Sequence, residues 1–392
     1  MMTIGSNEGS RTEKEPQGTA PLEPPGMKVI CDRGKLGEGL AVVNNVIPGK
    51  STKPALENVC LVATDDALEL VGTDLECSIR YRIDEVKVEE PGPAVVPARV
   101  SLDFVRDLSS DEISLKTRDN TCRIEGGEDA CELVTTDPDE FPVISRFGDS
   151  ETLSIQGGEF IRLVNRTVFA AAREAGRYAM HAVLAEIEDG ALKLVATDGR
   201  RLALSSARVD AHAAKPKPAL VPAKALNLFC RVISDPLEQV KLHFGENQIG
   251  LRTKNAEIFS RLVDGEFPRY AAVIPKESQN LVEADAQTLA KKLHLVANVT
   301  GVEARAVRLK FSKGELELFG QSVGRGEARA RMEVDFKGQS AEIAFNPDYV
   351  LDGLKNCEGG QVRLQFNEKT SPGKFTLGEN YMYVVMPITV DV

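Results

Sequence analysis

The chain repeats itself three times, and this restricts its fold more than any single motif does. Asp66–Asp74 reads DALELVGTD, Gly190–Asp198 reads GALKLVATD and Gly314–Ser322 reads GELELFGQS, each 124 residues after the last. A second set, VVPARVSLDFVRDLS, LVPAKALNLFCRVIS and AFNPDYVLDGLKNC, puts prolines at Pro97, Pro222 and Pro347, 125 apart. A third closes each copy: DEFPVI at 139–144, GEFPRY at 265–270 and YVVMPI at 383–388. Three sets in one order at near-constant spacing mean triplication of one module. The copies are predicted at 27–150, 151–275 and 276–392. Residues 1–26, with Pro16, Pro21, Pro24 and Pro25 among Gly, Ser, Glu and Thr, have little to bury and read as a disordered tail. Met27 opens the first strand, MKVICD, and could be the true start.

Each copy carries two helix candidates: 33–47 and 98–109, 158–174 and 222–234, 285–299 and 346–357. Pro97, Pro222 and Pro347 suit a first helical turn, where a missing N–H costs nothing. The remainder alternates with period two, as in LECSIRYRI (75–83), QVKLHF (239–244) and AVRLKFS (306–312). That pattern marks strands with one buried face. Two helices and many antiparallel strands per copy predict an α+β module with helices on one side of a sheet.

Charge is unevenly distributed. The six helix windows hold twelve bases against eight acids, a net +4 in a chain of formal net charge −11, so all other residues sum to −15. Basic helices beside acidic sheets fit a lining that meets phosphates without reading bases. The candidates are Arg99, Arg162, Arg166, Arg173, Lys224, Arg231, Lys291 and Lys292.

Chemistry-bearing motifs are scarce. The seven cysteines are odd in number and scattered without a C-x-x-C, which argues for a reducing compartment and against a thiolate metal site. The four histidines are too far apart for a local zinc motif, and no metal or cofactor is expected. No phosphate loop, dinucleotide fingerprint or nucleophile elbow occurs. ATDGRRLAL (196–204) has a catalytic look, but Asp-Gly between alternating strands is a hairpin turn. Its counterparts are TDLE (73–76) and QSVG (321–324), the last without an acid. No apolar run approaches the ~18 residues of a membrane span, and no apolar N-terminal stretch suggests a signal peptide. The apolar end YMYVVMPITV (381–390) is mostly core strand, yet Pro387 interrupts pairing and the flexible Met386 suits the wall of a peptide groove.

VGTDLE (71–76), VPAR (96–99), RYAM (177–180), VATDGRRLA (195–203), SRLVDGEFPRY (260–270), FNPDYVLD (345–352) and YVVMPI (383–388) together resemble the bacterial sliding clamp, the beta subunit of DNA polymerase III, over 27–390. The resemblance implies three clamp domains per chain, with helices inside and antiparallel sheets outside. It implies a head-to-tail ring-shaped homodimer around duplex DNA. It also implies a non-catalytic processivity subunit, cytoplasmic and nucleoid-associated, that docks the polymerase alpha subunit, the clamp loader and repair proteins. Its partner-peptide pocket carries over to Met180, Thr197, Gly199, Arg200, Arg201, Leu202, Pro268 and Val273, with Asn346, Tyr349, Val385, Met386, Pro387 and Ile388 from the third copy. DNA contacts carry over to Lys50, Arg177 and Tyr178, and the dimer contact to Cys131 and Leu133 against Val299 and Thr300. This chain departs from the family in its extra tail, in Ala272 where the pocket often has Arg, and in Thr389 and Asp391 near an end that is often basic. Two other classes remain open on residues alone: an acidic enzyme using Asp74 and Asp198, and a monomeric scaffold without nucleic acid.

Overall fold

In a computed structural model, described over residues 26–148, 153–174, 176, 178–211, 216–301 and 305–389, the triplication is literal. Each copy runs strand, helix, five strands, helix, three strands, so the described residues hold nine strands per copy. The helices are α1 (Arg33–Val43), α2 (Ala98–Asp107), α3 (Gly157–Thr167), α4 (Ala223–Val232), α5 (Ala286–Ala297) and α6 (Pro347–Leu354). All six predicted helices are present, each shorter at its C-terminal end than its window. Thr167 passes into a 3-10 turn, Val168–Ala170, so Arg173 lies outside the helix expected to carry it. Pro347 takes the first helical position as expected. Pro97 and Pro222 instead sit one residue earlier, ending a strand and capping the helix. The tail reading falls outside the described residues except for Gly26.

The two helices of each copy lie side by side on the sheets: α1 with α2, α3 with α4, α5 with α6. Their apolar stripes face inward. In α5, for example, Leu289, Leu293 and Val296 are buried while Lys291 is exposed, the pattern of a helix with one face on a core.

Each copy divides its nine strands between two sheets, five in one and four in the other, and the sheets join across copies. The five of copy two meet the four of copy one where Ala256–Arg261 pairs antiparallel with Cys77–Ile83. The five of copy three meet the four of copy two where Tyr381–Val385 pairs with Arg201–Arg208. Both junctions therefore form continuous nine-stranded sheets, each joining the ninth strand of one copy to the fourth of the preceding copy. Two halves are left over. The five-stranded sheet of copy one ends at the edge strand Asp129–Val134, and the four-stranded sheet of copy three ends at Gly326–Glu333. These are the unmatched ninth and fourth strands. An open edge presents unpaired N–H and C=O groups, a template for another chain.

The helices repeat the relation. Arg231 of α4 donates to Asn45, just beyond α1 (3.0 Å), and Asn356, just beyond α6, donates to the Asn165 carbonyl of α3 (2.9 Å). By that rule α5 and α2 lack neighbours. They carry large exposed apolar residues, Leu295 (55%) and Val100 (52%), and Val134 on the open strand is 73% exposed.

Candidate functional site

At the junction of copies two and three lies a cavity of about 110 Å³, lined by Met180, Thr197, Gly199, Arg201, Leu202, Pro268, Arg269, Tyr270, Val273, Val384 and Met386. Its first wall is the turn between the strands Ala191–Thr197 and Arg201–Arg208. The Thr197 hydroxyl donates to the Arg201 carbonyl (2.7 Å) and accepts from the Gly199 N–H (3.1 Å). One oxygen of Asp198 accepts from the N–H groups of Arg200 and Arg201, at 2.9 and 3.0 Å. Gly199 takes φ +83°, where a side chain is strained. The turn reading of ATDGRRLAL therefore holds, and Asp198 is consumed by it.

Arg201 ties the two copies together. It pairs with Asp198 (3.0 Å) and, across the junction, with Asp352 (2.7 Å), and donates to the Phe169 carbonyl (2.9 Å). Its guanidinium lies over Tyr349 at 4.6 Å. Burial alone would lower its pKa, but Asp352, Tyr383 and Asp198 hold it above the ordinary arginine value. Leu202 (2% exposed) pairs in register with Val384, and together they form the floor. The outer wall is the 3-10 turn Tyr270–Val273. Its Tyr270 hydroxyl donates to Glu186 (2.6 Å), and Glu186 also pairs with Lys193 (3.0 Å). Burial, then Glu186, pushes the Tyr270 hydroxyl above its usual pKa.

Eight of the fourteen predicted pocket residues line the cavity. Of the other six, Val385 is wholly buried in the core. Strand residues alternate faces, so Val384 and Met386 face the cavity and Val385 cannot. Tyr349 lies behind Arg201, and Asn346 caps α6 by accepting from the Asp348 N–H (2.9 Å). Arg200 is exposed beside Gly199, and its carbonyl accepts from the Met386 N–H (2.8 Å). Pro387 and Ile388 lead away, the Ile388 N–H donating to the Ala344 carbonyl. Sequence reasoning missed Arg269, Tyr270 and Val384. Strand parity at 381–385 would have exchanged Val385 for Val384.

The same turn geometry recurs at the junction of copies one and two. The Thr73 hydroxyl donates to the Cys77 carbonyl (2.7 Å), Asp74 accepts from the Glu76 and Cys77 N–H groups, and the Arg261 N–H donates to the Glu76 carbonyl. There Leu75, at φ +74°, stands where Gly199 does. Ser78 replaces Leu202 and Arg261 replaces Met386. Asp74 also pairs with Lys224 (2.8 Å). Both carboxylates of the enzyme reading are thus occupied by turns and cations.

Several predicted DNA-facing cations are also engaged within the chain. Arg166 is a correction: it is 4% exposed, pairs with Glu358 (2.6 Å) and lies over Tyr381 (5.1 Å) at the junction of copies two and three. Arg162 pairs with Glu159 and Glu358. Lys224 and Arg231 reach across to copy one. Lys50, Arg99, Arg173 and Lys291 are exposed and Lys292 half-buried, none in an ion pair among the described residues. Tyr178 is 38% exposed, and Arg177 lies outside the described residues. Of the dimer-contact residues, Leu133 (9% exposed) and Thr300 (1%) are turned into the chain's own core. Cys131 and Val299 are half-buried. No group of metal-binding side chains occurs among the described residues, and no helix there is long and apolar enough to cross a membrane.

Comparison with known proteins agrees with this architecture. The chain matches the models for the N-terminal domain (residues 27–145), central domain (154–269) and C-terminal domain (271–389) of the DNA polymerase III beta subunit. It is 32% identical to the beta sliding clamp of Pseudomonas putida over 92% of this chain and 100% of that one. It is 28% identical to that of Chlamydia muridarum over 92% and 99%. Among solved structures it is similar to the DNA polymerase III beta subunit of Pseudomonas aeruginosa bound to griselimycin, with TM-score 0.89, 31% identity, and 93% and 100% of the two chains covered. It is also similar to that of Thermotoga maritima, with TM-score 0.86, 26% identity and the same coverage. With three matched domains in order, the chain belongs to the DNA polymerase III beta subunit family, the bacterial sliding clamps.

Proposed function

We propose that two copies of this chain close head to tail into a ring around duplex DNA and hold the replicative polymerase there. As a family member the chain is a processivity factor and not a catalytic subunit. The observation that carries the dimer is the pair of leftover half-sheets. The open strand Asp129–Val134 and the open strand Gly326–Glu333 are the same two strand positions that join at both internal junctions. Pairing them between two chains repeats that junction twice more and leaves no open edge of this kind. A two-fold pair of contacts is what a closed homodimer requires. We place the domain boundaries at 150/151 and 275/276 and assign 1–26 as a dispensable tail.

The six helix pairs of such a ring would face the duplex, with Lys50, Arg99, Arg173, Arg177, Lys291 and Lys292 as phosphate neighbours. The cavity between copies two and three would receive short apolar peptides of the polymerase alpha subunit, the clamp loader and repair proteins in turn. The site of action would be the cytoplasm, at the nucleoid. The test is retention on DNA. After loader treatment the protein should stay on nicked circular DNA through gel filtration and be lost when the circle is linearised. Equal retention on both forms would refute encirclement.

A further inference from the structure

A second cavity, of about 260 Å³, opens where copies one and two meet, and only Phe147 and Ala256 of its lining residues are apolar. Five cations line it, Arg80, Arg82, Arg146, Arg252 and Lys254, against two carboxylates, Glu69 and Glu257, in a chain of net charge −11. Glu69, with 6% of its side chain exposed, is shared by Arg80 (2.7 Å), Arg146 (3.0 Å) and Arg82 (3.9 Å). Glu257 lies 3.2 Å from Arg252 and accepts from the Phe147 N–H (3.2 Å). At the rim, Asp66 and Asp84 pair with Arg82, and Glu238 accepts from the main-chain N–H of Lys254. The Lys254 side chain is exposed and makes no ion pair among the described residues. Arg80, Arg146 and Arg252 offer about fifteen N–H donors, yet their side-chain hydrogen bonds all go to Glu69. The Nε atoms of Arg80 and Arg252 are buried without a hydrogen-bond partner, a costly state for a charged group.

The triplication shows that the fold does not need this cluster. Strand register makes Lys193, Leu204, Ser206, Thr376 and Met382 the counterparts of Glu69, Arg80, Arg82, Arg252 and Glu257 at the junction of copies two and three. That junction closes on the same backbone pairing without a single arginine at these positions. The cluster also faces away from the helices. Ile79 and Tyr81 are buried towards α1, whose Gly39 lies against the Tyr81 ring, so Arg80 and Arg82 point to the opposite side of the strand.

We infer that this cavity binds a small polyphosphate anion, a chain of two or three phosphates either free or carried by a nucleotide. Guanidinium forks match phosphate oxygens with parallel bonds. The cations form two groups, one gathered on Glu69 and one beside Glu257. Arg80 and Arg252 sit on the strands either side of Glu257, about 10 Å apart at two strand spacings. A chain of phosphates spans that gap, whereas a single phosphate serves one group. An acidic peptide would find no apolar floor to anchor it, and a duplex lying along the helices would be on the other side of the sheet. The bound anion would bridge copy one, the linking segment at Arg146 and copy two.

The test is calorimetric titration of the full chain at low, matched ionic strength with orthophosphate, pyrophosphate, tripolyphosphate and ATP, all with EDTA. Affinity should rise along the inorganic series by about two- to fivefold per added charge, with one tripolyphosphate bound per chain. ATP binding at least as tightly as tripolyphosphate identifies a nucleotide as the ligand, and weaker binding identifies the free chain. Arg146 and Lys254 are exposed, so Arg146→Gln/Lys254→Gln should fold, as its melting curve would verify, and should weaken tripolyphosphate by about four- to twentyfold. The charge-matched control Lys116→Gln/Arg118→Gln, on the exposed face of another sheet of copy one, should keep the parent affinity. The inference is overturned if tripolyphosphate binds no tighter than orthophosphate, or if the cavity variant keeps the parent affinity and the anion therefore sits elsewhere. It is equally overturned if the control variant loses as much as the cavity variant, since net charge alone would then account for the binding.

Discussion

The leftover half-sheets specify a register, so ring closure can be tested with a single engineered cysteine. The Thr135 N–H donates to Asn120 and the Leu262 N–H to Asn247 in equivalent hairpins, which makes Leu133 the counterpart of Ser260. On the other strand Gln321↔Glu327 repeats Thr73↔Ser78, which makes Gly326 the counterpart of Cys77. Ser260 faces Cys77 at the junction of copies one and two. Leu133 should therefore face Gly326 of the partner subunit, and Cys131 should face Ala328 of the partner subunit. Side-chain parity agrees, because Cys131 and Ala328 are both half-buried and so turn to the inner face of their sheets. Residues directly opposite in antiparallel strands have Cα atoms about 4.5–5.5 Å apart, inside the roughly 4.4–6.8 Å window of a disulfide. Ala328→Cys should thus cross-link to the native Cys131 under mild oxidation, giving a band at twice 42.6 kDa on a non-reducing gel. Arg329→Cys, one residue on and facing outward, should not cross-link, and adding Cys131→Ser to Ala328→Cys should abolish the band. If Arg329→Cys cross-links and Ala328→Cys does not, the register is off by one. If neither does while sedimentation still shows a dimer, the edge-strand pairing is wrong.

Other outcomes follow from the same geometry. Leu295→Asp should give folded monomers by sedimentation, since burying a half-exposed leucine contributes about 1 kcal/mol and an unpaired carboxylate there costs more; Leu133→Asp should lower the melting temperature as well, because that side chain is already in the core. Gly199→Leu should fold, as Leu75 adopts φ +74° in the equivalent turn, yet titration should find peptide binding lost because the side chain occupies the cavity. Deleting 386–392 removes one wall and the backbone bonds from Met386 and Ile388, so calorimetry should detect no peptide binding while circular dichroism is unchanged. A chain beginning at Met27, whose side chain is wholly buried and whose carbonyl accepts from Thr117, should melt with the full one.

Repetition made the fold legible. A module that recurs at 124–125 residues must fold three times by one rule, and the prolines at 97, 222 and 347 marked the second helix of every copy. Helix ends were overrun because apolar periodicity continues into turns, as at Val168–Ala170. The pocket was legible where it is carried by a turn signature, as at Thr197–Leu202, and blurred where it depends on which way a strand residue faces. Val384 and Val385 are identical in type and opposite in orientation, and composition cannot separate them. Arg166 was beyond reach for a different reason. It sits on a basic helix like its neighbours, and only the fold brings Glu358 from another copy against it.

That partition of the cations bears on how an acidic chain can hold DNA at all. Arg162, Arg166, Lys224 and Arg231 are held by Glu358, Asp74 and Asn45 at the junctions between copies, so much of the apparent positive excess on the helices serves to fix one copy against the next. The candidate DNA-facing cations without an ion pair among the described residues, such as Lys50, Arg99 and Lys291, are exposed. Each phosphate contact contributes roughly 0.9 to the slope of log affinity against log salt, so a handful per chain gives an attraction that physiological salt largely erodes. A protein that depended on that attraction would dissociate readily. One that encloses the duplex need not bind it tightly, and tight binding would hinder sliding. Neutralising Lys50 or Arg99 should therefore shift direct binding to linear DNA several-fold at low salt, yet leave retention on a closed circle intact. Breaking the contact between the two open strands should do the reverse.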